Sequence, residues 1–216
     1  MQALKAIDSI IFDLDGTLWD ATIPVWQSWN KALEEYAHKH GLQVAQITLE
    51  QIKSVMGLQI PEIGEKLLPF FPEEVRGQIM ERGGEIEIAY LREHGGTLYP
   101  QVEETLATLA QRYKLFIVSN CQEGYIEAFL SAHKLEKYFI DYENPGRTGL
   151  SKGENIQLLI KRNQLKNPVY VGDTAGDAQA AQMAGIPFIF ARYGFGMVEK
   201  YAQVIDCFSE LPDILR

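Results

Sequence analysis

Four short runs dominated by branched and aromatic residues set the limits on what this chain can fold into: Ser9 to Phe12, Leu115 to Val118, Pro168 to Val171 and Pro187 to Phe190. Near-continuous apolar runs of this length, with helical patterns between the later ones, belong to strands of a parallel sheet covered on both faces. Tyr138 to Asp141 and Val204 to Asp206 are weaker strand candidates. The fold class is therefore α/β.

Between the first two runs lie about a hundred residues without a comparable strand, far more than one crossover needs. The pattern there is helical. Thr22 is placed to cap a helix whose apolar stripe holds Trp26, Trp29, Leu33 and Tyr36, and Gly41 to end it. An apolar stripe of this kind is ordinarily core, although Trp26 and Trp29 could also face a cleft. Thr48 with Gln51 predicts a capping box for a second helix stopping near Gly57; Pro61 and Pro72 open further helices, the last running to Gly95-Gly96. A helix from Val102 to Arg112 then leads to the second strand. The expected division is a sheet core of residues 1–19 and 98–216 with an inserted all-helical cap of residues 20–97. Because the insertion begins just after the first strand, it should hang over the carboxyl ends of the strands, where open α/β sheets bind ligands.

Composition narrows the function classes. A chain of 216 residues, 46% hydrophobic, can bury a sizeable core. Its net charge of -9 and lack of a Lys/Arg-rich stretch argue against a nucleic acid partner. No apolar run is long enough to span a membrane, and the first residues lack the apolar stretch of a signal peptide, so a soluble cytoplasmic protein without a membrane partner is expected. Two cysteines, Cys121 and Cys207, are too few for a disulfide framework, and a packed, unreactive thiol is the expected state of Cys121. The four histidines are scattered and offer no zinc pattern. Oligomeric state is open.

Four features fall at the expected ligand edge. Asp13 and Asp15 follow the first strand; two apart in extended chain, they address one side, and two crowded carboxylates need a cation or divide into an acid and a base. Ser119-Asn120 follows the second strand, where a hydroxyl and backbone amides can hold phosphate oxygens, although both are also ordinary turn formers. Lys152 lies in the first turn of a helix capped by Ser151 and Glu154, a position the helix dipole disfavours for a cation, and an anion in front of it would remove the conflict. Gly172-Asp173-Thr174-Ala175-Gly176-Asp177 places two more carboxylates at a strand-to-helix turn. An oxygen-rich set of this kind suits magnesium.

With these motifs in this order, the chain resembles the haloacid dehalogenase-like (HAD) phosphohydrolase superfamily over its whole length, in the branch with a helical cap that includes phosphoglycolate phosphatase-like and β-phosphoglucomutase-like members. The resemblance implies a Rossmann-like core and a Mg2+-dependent phosphatase acting on a small phosphorylated metabolite. It implies that Asp13 is the nucleophile that forms an aspartyl-phosphate. Asp15 would be the acid and base, with its backbone carbonyl on the metal. Ser119, Asn120 and Lys152 would hold the phosphoryl group, and Asp173 would complete the metal ligands, with Asp177 acting directly or through water. Asp20 matches an acidic residue common just before the cap, and the turn Met56-Gly57-Leu58 lies where such members contact the leaving group. Three positions depart from the family pattern: Gln101 replaces a frequent glycine, Gly153 a proline and Ala21 a serine. A phosphomutase is the alternative, disfavoured because Val25 stands where mutases carry a histidine. Dehalogenase and phosphonatase branches lack a residue like Asp15. A non-enzymatic phospho-receiver module is disfavoured by chain length and the long cap.

Overall fold

The structure is a computed structural model that describes residue 4 and residues 6–215; Met1–Ala3, Lys5 and Arg216, and with them most of the N-terminal stretch considered above, lie outside the described residues. In chain order the elements are β1 (Ser9–Phe12), β2 (Trp19–Asp20), α1 (Thr22–His40), α2 (Leu49–Val55), α3 (Ile60–Leu67), α4 (Glu73–His94), β3 (Thr97–Leu98), α5 (Val102–Leu109) and β4 (Lys114–Val118). They continue with α6 (Tyr125–His133), β5 (Phe139–Glu143), α7 (Pro145–Thr148), α8 (Lys152–Asn163), β6 (Pro168–Gly172), α9 (Ala175–Ala184), β7 (Phe188–Ala191), β8 (Gln203–Ile205) and α10 (Leu211–Ile214).

Six strands form one sheet in the order β5-β4-β1-β6-β7-β8, and every neighbouring pair is parallel. Strand alternation sorts the apolar side chains between two layers. Ile10, Phe12, Leu115, Ile117, Val169 and Val171 face the layer that holds α5 and α6. Ile11, Phe116, Val118 and Tyr170 face the opposite layer, with Ile156 and Leu159 of α8 and Ala180 and Ala181 of α9. Burial on both faces is why these strands read as unbroken apolar runs in the sequence.

Helices α1–α4 all lie between β2 and β3, which pair antiparallel with Trp19 opposite Leu98 and Asp20 opposite Thr97. The chain therefore leaves and re-enters the sheet region side by side. Those two-residue strands carry no readable pattern and were not expected. In α1 the cap differs from the expectation: Ala21 holds the capping position, Thr22 is the first helical residue, and Asp20 Oδ1 accepts from Thr22 N at 2.8 Å. The reach of an aspartate one residue further back replaces the serine-like cap that Ala21 cannot supply. Gly41 ends α1 in the left-handed conformation (φ 64°), as expected. The Thr48–Gln51 capping box is present. Helix α5 ends at Leu109, short of the expected Arg112, and β7 starts one residue later than expected. Mid-helix glycines cost α4 stability, about 1 kcal/mol each relative to alanine. Gly83 nevertheless has a packing reason, since a Cβ there would stand 3.0 Å from the Trp29 ring.

Candidate active site

Sheet register is what brings the four motifs together. Phe12, the last residue of β1, is level with Ile117 of β4 and Val171 of β6, so the residues that follow all three strands emerge at one edge. Strand β1 lies where the chain order of the sheet reverses, the place where such sheets open a crevice. Asp13 is anchored there by its backbone N–H, which donates to Val171 O at 2.8 Å. Its carboxylate is buried, and Oδ1 accepts from Lys152 Nζ at 2.9 Å. The same ammonium donates to Asp177 Oδ1 at 2.6 Å.

Lys152 is the first residue of α8, behind the Ser151–Glu154 capping box, and only 5% exposed. Burial alone would push its pKa down, but the charges of Asp13 and Asp177 more than offset that and hold it above the ordinary lysine value. The anions that resolve its unfavourable position on the helix are thus the protein's own carboxylates.

Asp177 is fully engaged. Its Oδ2 accepts from Asp173 N (3.1 Å), Thr174 N (2.9 Å) and Thr174 Oγ1 (2.7 Å), so it both caps α9 and fixes the turn. Asp173 takes one backbone N–H, that of Phe195, on Oδ2 at 2.7 Å, and the Thr17 hydroxyl lies 3.4 Å from Oδ1. Gly16, in the left-handed conformation (φ 80°), and Gly194 press their backbones against this carboxylate; a Cβ at either would overlap it.

Asp13, Asp173 and Asp177 each offer an oxygen within 4.8 Å of the others'. Burial, then mutual repulsion, raises the pKa of Asp13 and Asp173, with Lys152 opposing. Three buried carboxylates facing one ammonium are short of positive charge, and their hard oxygen donors fit a divalent cation such as magnesium. Asp15 stands apart from that cluster: its Oδ1 accepts from the Tyr125 hydroxyl at 2.8 Å. Its pKa is raised well above the ordinary value, chiefly by burial, with the charges of Asp13 and Glu87 adding and the Tyr125 hydrogen bond opposing.

Ser119 is buried, and its hydroxyl makes no hydrogen bond to any described residue. Asn120 Nδ2 instead donates to Gly57 O, in the turn after α2, at 3.0 Å, and its Oδ1 is buried without a partner among the described residues. The expected phosphate-binding asparagine thus ties the helical insertion to the sheet in this arrangement. The cleft between them is lined by Asp15, Val25, Trp29, Glu87, Gln122 and Tyr125 among others. The sequence reading missed three of these residues: Glu87, Gln122 and Tyr125. Glu87 had a signal, since it occupies the stripe of buried residues Gly83, Glu87 and Leu91, where an acid is out of place. Trp29 Nε1 donates to Glu87 Oε2 at 2.8 Å and Gln122 Nε2 to the same oxygen at 3.2 Å. Burial still pushes Glu87 up to about 7. Trp29 is thus both core and cleft wall. Cys121 is buried, its thiol pushed up by burial, and so unreactive.

Comparison with known proteins places this geometry in context. Residues 10–191 match the family model described as haloacid dehalogenase-like hydrolase. A phosphoglycolate phosphatase from Yersinia pestis is 29% identical over 210 residues, covering 94% of this chain and 88% of that protein. Among solved structures, one described as a predicted phosphoglycolate phosphatase from Haemophilus somnus superposes with a TM-score of 0.85 at 23% identity, covering 99% of this chain and 100% of the other. A haloacid dehalogenase-like family hydrolase from Streptococcus pneumoniae gives 0.83 at 19% identity, covering 97% and 99%. At these identities the structural matches speak for the fold alone.

Proposed function

The chain belongs to the haloacid dehalogenase-like hydrolase family, and on that premise we propose that it is a magnesium-dependent phosphatase acting on a small phosphorylated metabolite. The observation that carries the reading is the buried Lys152–Asp13 ion pair, 2.9 Å long, set in a three-carboxylate cluster at the sheet's reversal point. Relatives named phosphoglycolate phosphatase support the substrate scale, a small phosphomonoester. The division of labour follows the proposed boundaries, residues 1–19 and 98–216 as catalytic core and 20–97 as cap.

In this reading an Asp13 oxygen attacks phosphorus and the bond to the leaving oxygen breaks, giving an aspartyl-phosphate. Asp15, whose pKa burial raises in the direction an acid needs, gives its proton to that leaving oxygen. Asp15 then takes a proton from water, which attacks the same phosphorus and frees phosphate, restoring Asp13. The Tyr125 hydroxyl orients Asp15 through both steps. Lys152 offsets the charge that an anionic ester brings towards Asp13, and the Ser119 hydroxyl is available to a phosphoryl oxygen. Magnesium would be held by Asp13, the Asp15 carbonyl and Asp173. Asp177, with both oxygens engaged by protein donors, would hold Asp173 and Lys152 in place. Bound magnesium supplies further charge neutralisation, the main requirement of phosphoryl transfer. Val25, where mutases carry a histidine, is an aliphatic wall of the cleft, which favours hydrolysis over isomerisation.

The test is release of p-nitrophenol from p-nitrophenyl phosphate with magnesium by wild type and Asp13→Asn. The expected loss is about a thousandfold or more. Undiminished activity in the purified, folded variant removes Asp13 as nucleophile and the reading with it.

A further inference from the structure

Glu87 is the one acidic side chain that the helical insertion contributes to the cleft wall. It is 2% exposed, and both donors it receives, from Trp29 and Gln122, converge on Oε2. Its Oε1 accepts from no described residue, yet it is not sealed away from the cleft. A carboxylate oxygen that faces the cleft without a protein donor is open to a ligand that bears one. Among the described residues, no lysine, arginine or histidine lines this cleft.

The surroundings carry the same sign. A cavity of about 560 Å³ adjoins the cleft, sharing Trp29, Ile60 and Gln122 with it. Its rim holds Glu65, Glu73, Glu81, Glu85 and Glu123; among the described residues Glu85 is paired with Arg82 at 2.8 Å, and Arg76, the cation of the lining, is engaged by Phe71 O at 3.1 Å and Glu65 at 3.9 Å, which leaves Glu73, Glu81 and Glu123 without an ion pair. A leaving group reaching past Asp15 therefore meets acceptors and negative charge.

We infer that Glu87 selects the leaving group by charge, admitting phosphomonoesters whose leaving alcohol is neutral or cationic and carries a hydrogen-bond donor, and rejecting those with a second anionic group. The inference rests on the phosphatase reading above. Against an anionic leaving group, Glu87 sets like charge on like charge in a cleft whose described lining holds no cation; against a hydroxyl or ammonium it supplies an acceptor.

The test uses three esters with the same two-carbon leaving group: 2-phosphoglycolate, 2-hydroxyethyl phosphate and O-phosphoethanolamine, with terminal charges of about -1, 0 and +1 at pH 8. Wild-type kcat/KM is expected to favour the hydroxyl and ammonium esters over the carboxylate by at least about tenfold. In Glu87→Gln, which keeps the acceptor for Trp29, that ratio should fall by about tenfold. The ratio compares two substrates in one preparation, so the folded fraction cancels. Wild-type preference for 2-phosphoglycolate overturns the inference, as does a variant in which all three rates fall together, the behaviour of a residue that merely closes the cleft. Failure of wild type to release phosphate from any of these esters or from p-nitrophenyl phosphate refutes the phosphatase reading instead.

Discussion

Lys152 holds apart two buried carboxylates that would otherwise face each other, Asp13 at 2.9 Å and Asp177 at 2.6 Å from the same nitrogen. Removing one member of a buried charge set costs about 3–5 kcal/mol, because the partners are left uncompensated. Lys152→Met should therefore lower unfolding free energy by about that much at pH 8, measured by urea titration without added metal. The loss should shrink at pH 5, where Asp13, its pKa already raised, takes up a proton. An equal loss at both pH values would mean that packing of the lysine stem, not charge, is what matters. A second residue-level expectation concerns Gln101, which stands in place of a frequent family glycine. Its φ is 61°, the left-handed region that penalises side chains, and it is exposed. Gln101→Gly relieves that strain, partly offset by the larger entropy of a glycine in the unfolded chain. A gain of roughly 0.5 kcal/mol in thermal or urea unfolding is expected, and a destabilised variant would place a contact of Gln101 above the strain. Gly153, another departure, has its own reason: Met183 of α9 packs against it so closely that a Cβ would meet the thioether.

At the level of elements, α4 presents Glu87 to α1 and to the loop after β4, and this joint is where pH should act on the fold. Burial raises Glu87 from the ordinary 4.5 to about 7 despite the Trp29 and Gln122 donors. Because the folded value is the higher one, the folded state binds more protons between those limits, and stability falls as pH rises through them. Glu87→Gln has no proton to lose. Its stability relative to wild type should rise between pH 5 and 8 by at most about 3 kcal/mol, read from paired urea titrations. Parallel pH profiles would show that Glu87 is ionised without penalty. This joint was hidden in the sequence because Gln122 lies 35 residues from Glu87, and nothing local pairs them. The strands and the acidic ends of two of them were legible for the opposite reason: β1, β4 and β6 are apolar at nearly every position, and the paired carboxylates after β1 and β6 are more than a turn requires, while Ser119-Asn120 after β4 would pass for a turn by themselves. The capping boxes at Thr48 and Ser151 were legible because both partners lie three residues apart. The β2–β3 ribbon was not, since two-residue strands show no alternation. Asn120 was placed correctly on its strand end, but its bond to Gly57 depends on how the insertion docks, which spacing along the chain does not encode.

For the molecule as a whole, the acidic cluster joins segments that are distant in the chain. Asp13 follows β1, Lys152 opens α8, Asp173 and Asp177 span the turn from β6 into α9, and Phe195, after β7, donates to Asp173. With one ammonium against three carboxylates, these segments would repel more than they attract if all three were ionised, and burial and repulsion accordingly raise Asp13 and Asp173. A divalent ion that binds the folded form, and not the scattered ligands of the unfolded chain, stabilises by mass action, about 2.7 kcal/mol at a hundred times its Kd. In a chain of 216 residues that corresponds to roughly 5–10 °C in Tm. Saturating magnesium should produce a rise of that size in a melting curve, and chelation should reverse it. Ion and protons compete for the same oxygens. Both raised carboxylates must lose their protons to receive the ion, so the magnesium-dependent rise should be larger at pH 8 than at pH 5.5. Asp173→Asn removes one donor and one repelling charge together: the metal-free variant should melt above metal-free wild type at pH 8, while its response to magnesium shrinks. An undiminished response in that variant would put the ion elsewhere on this acidic protein and leave Asp173 a structural residue.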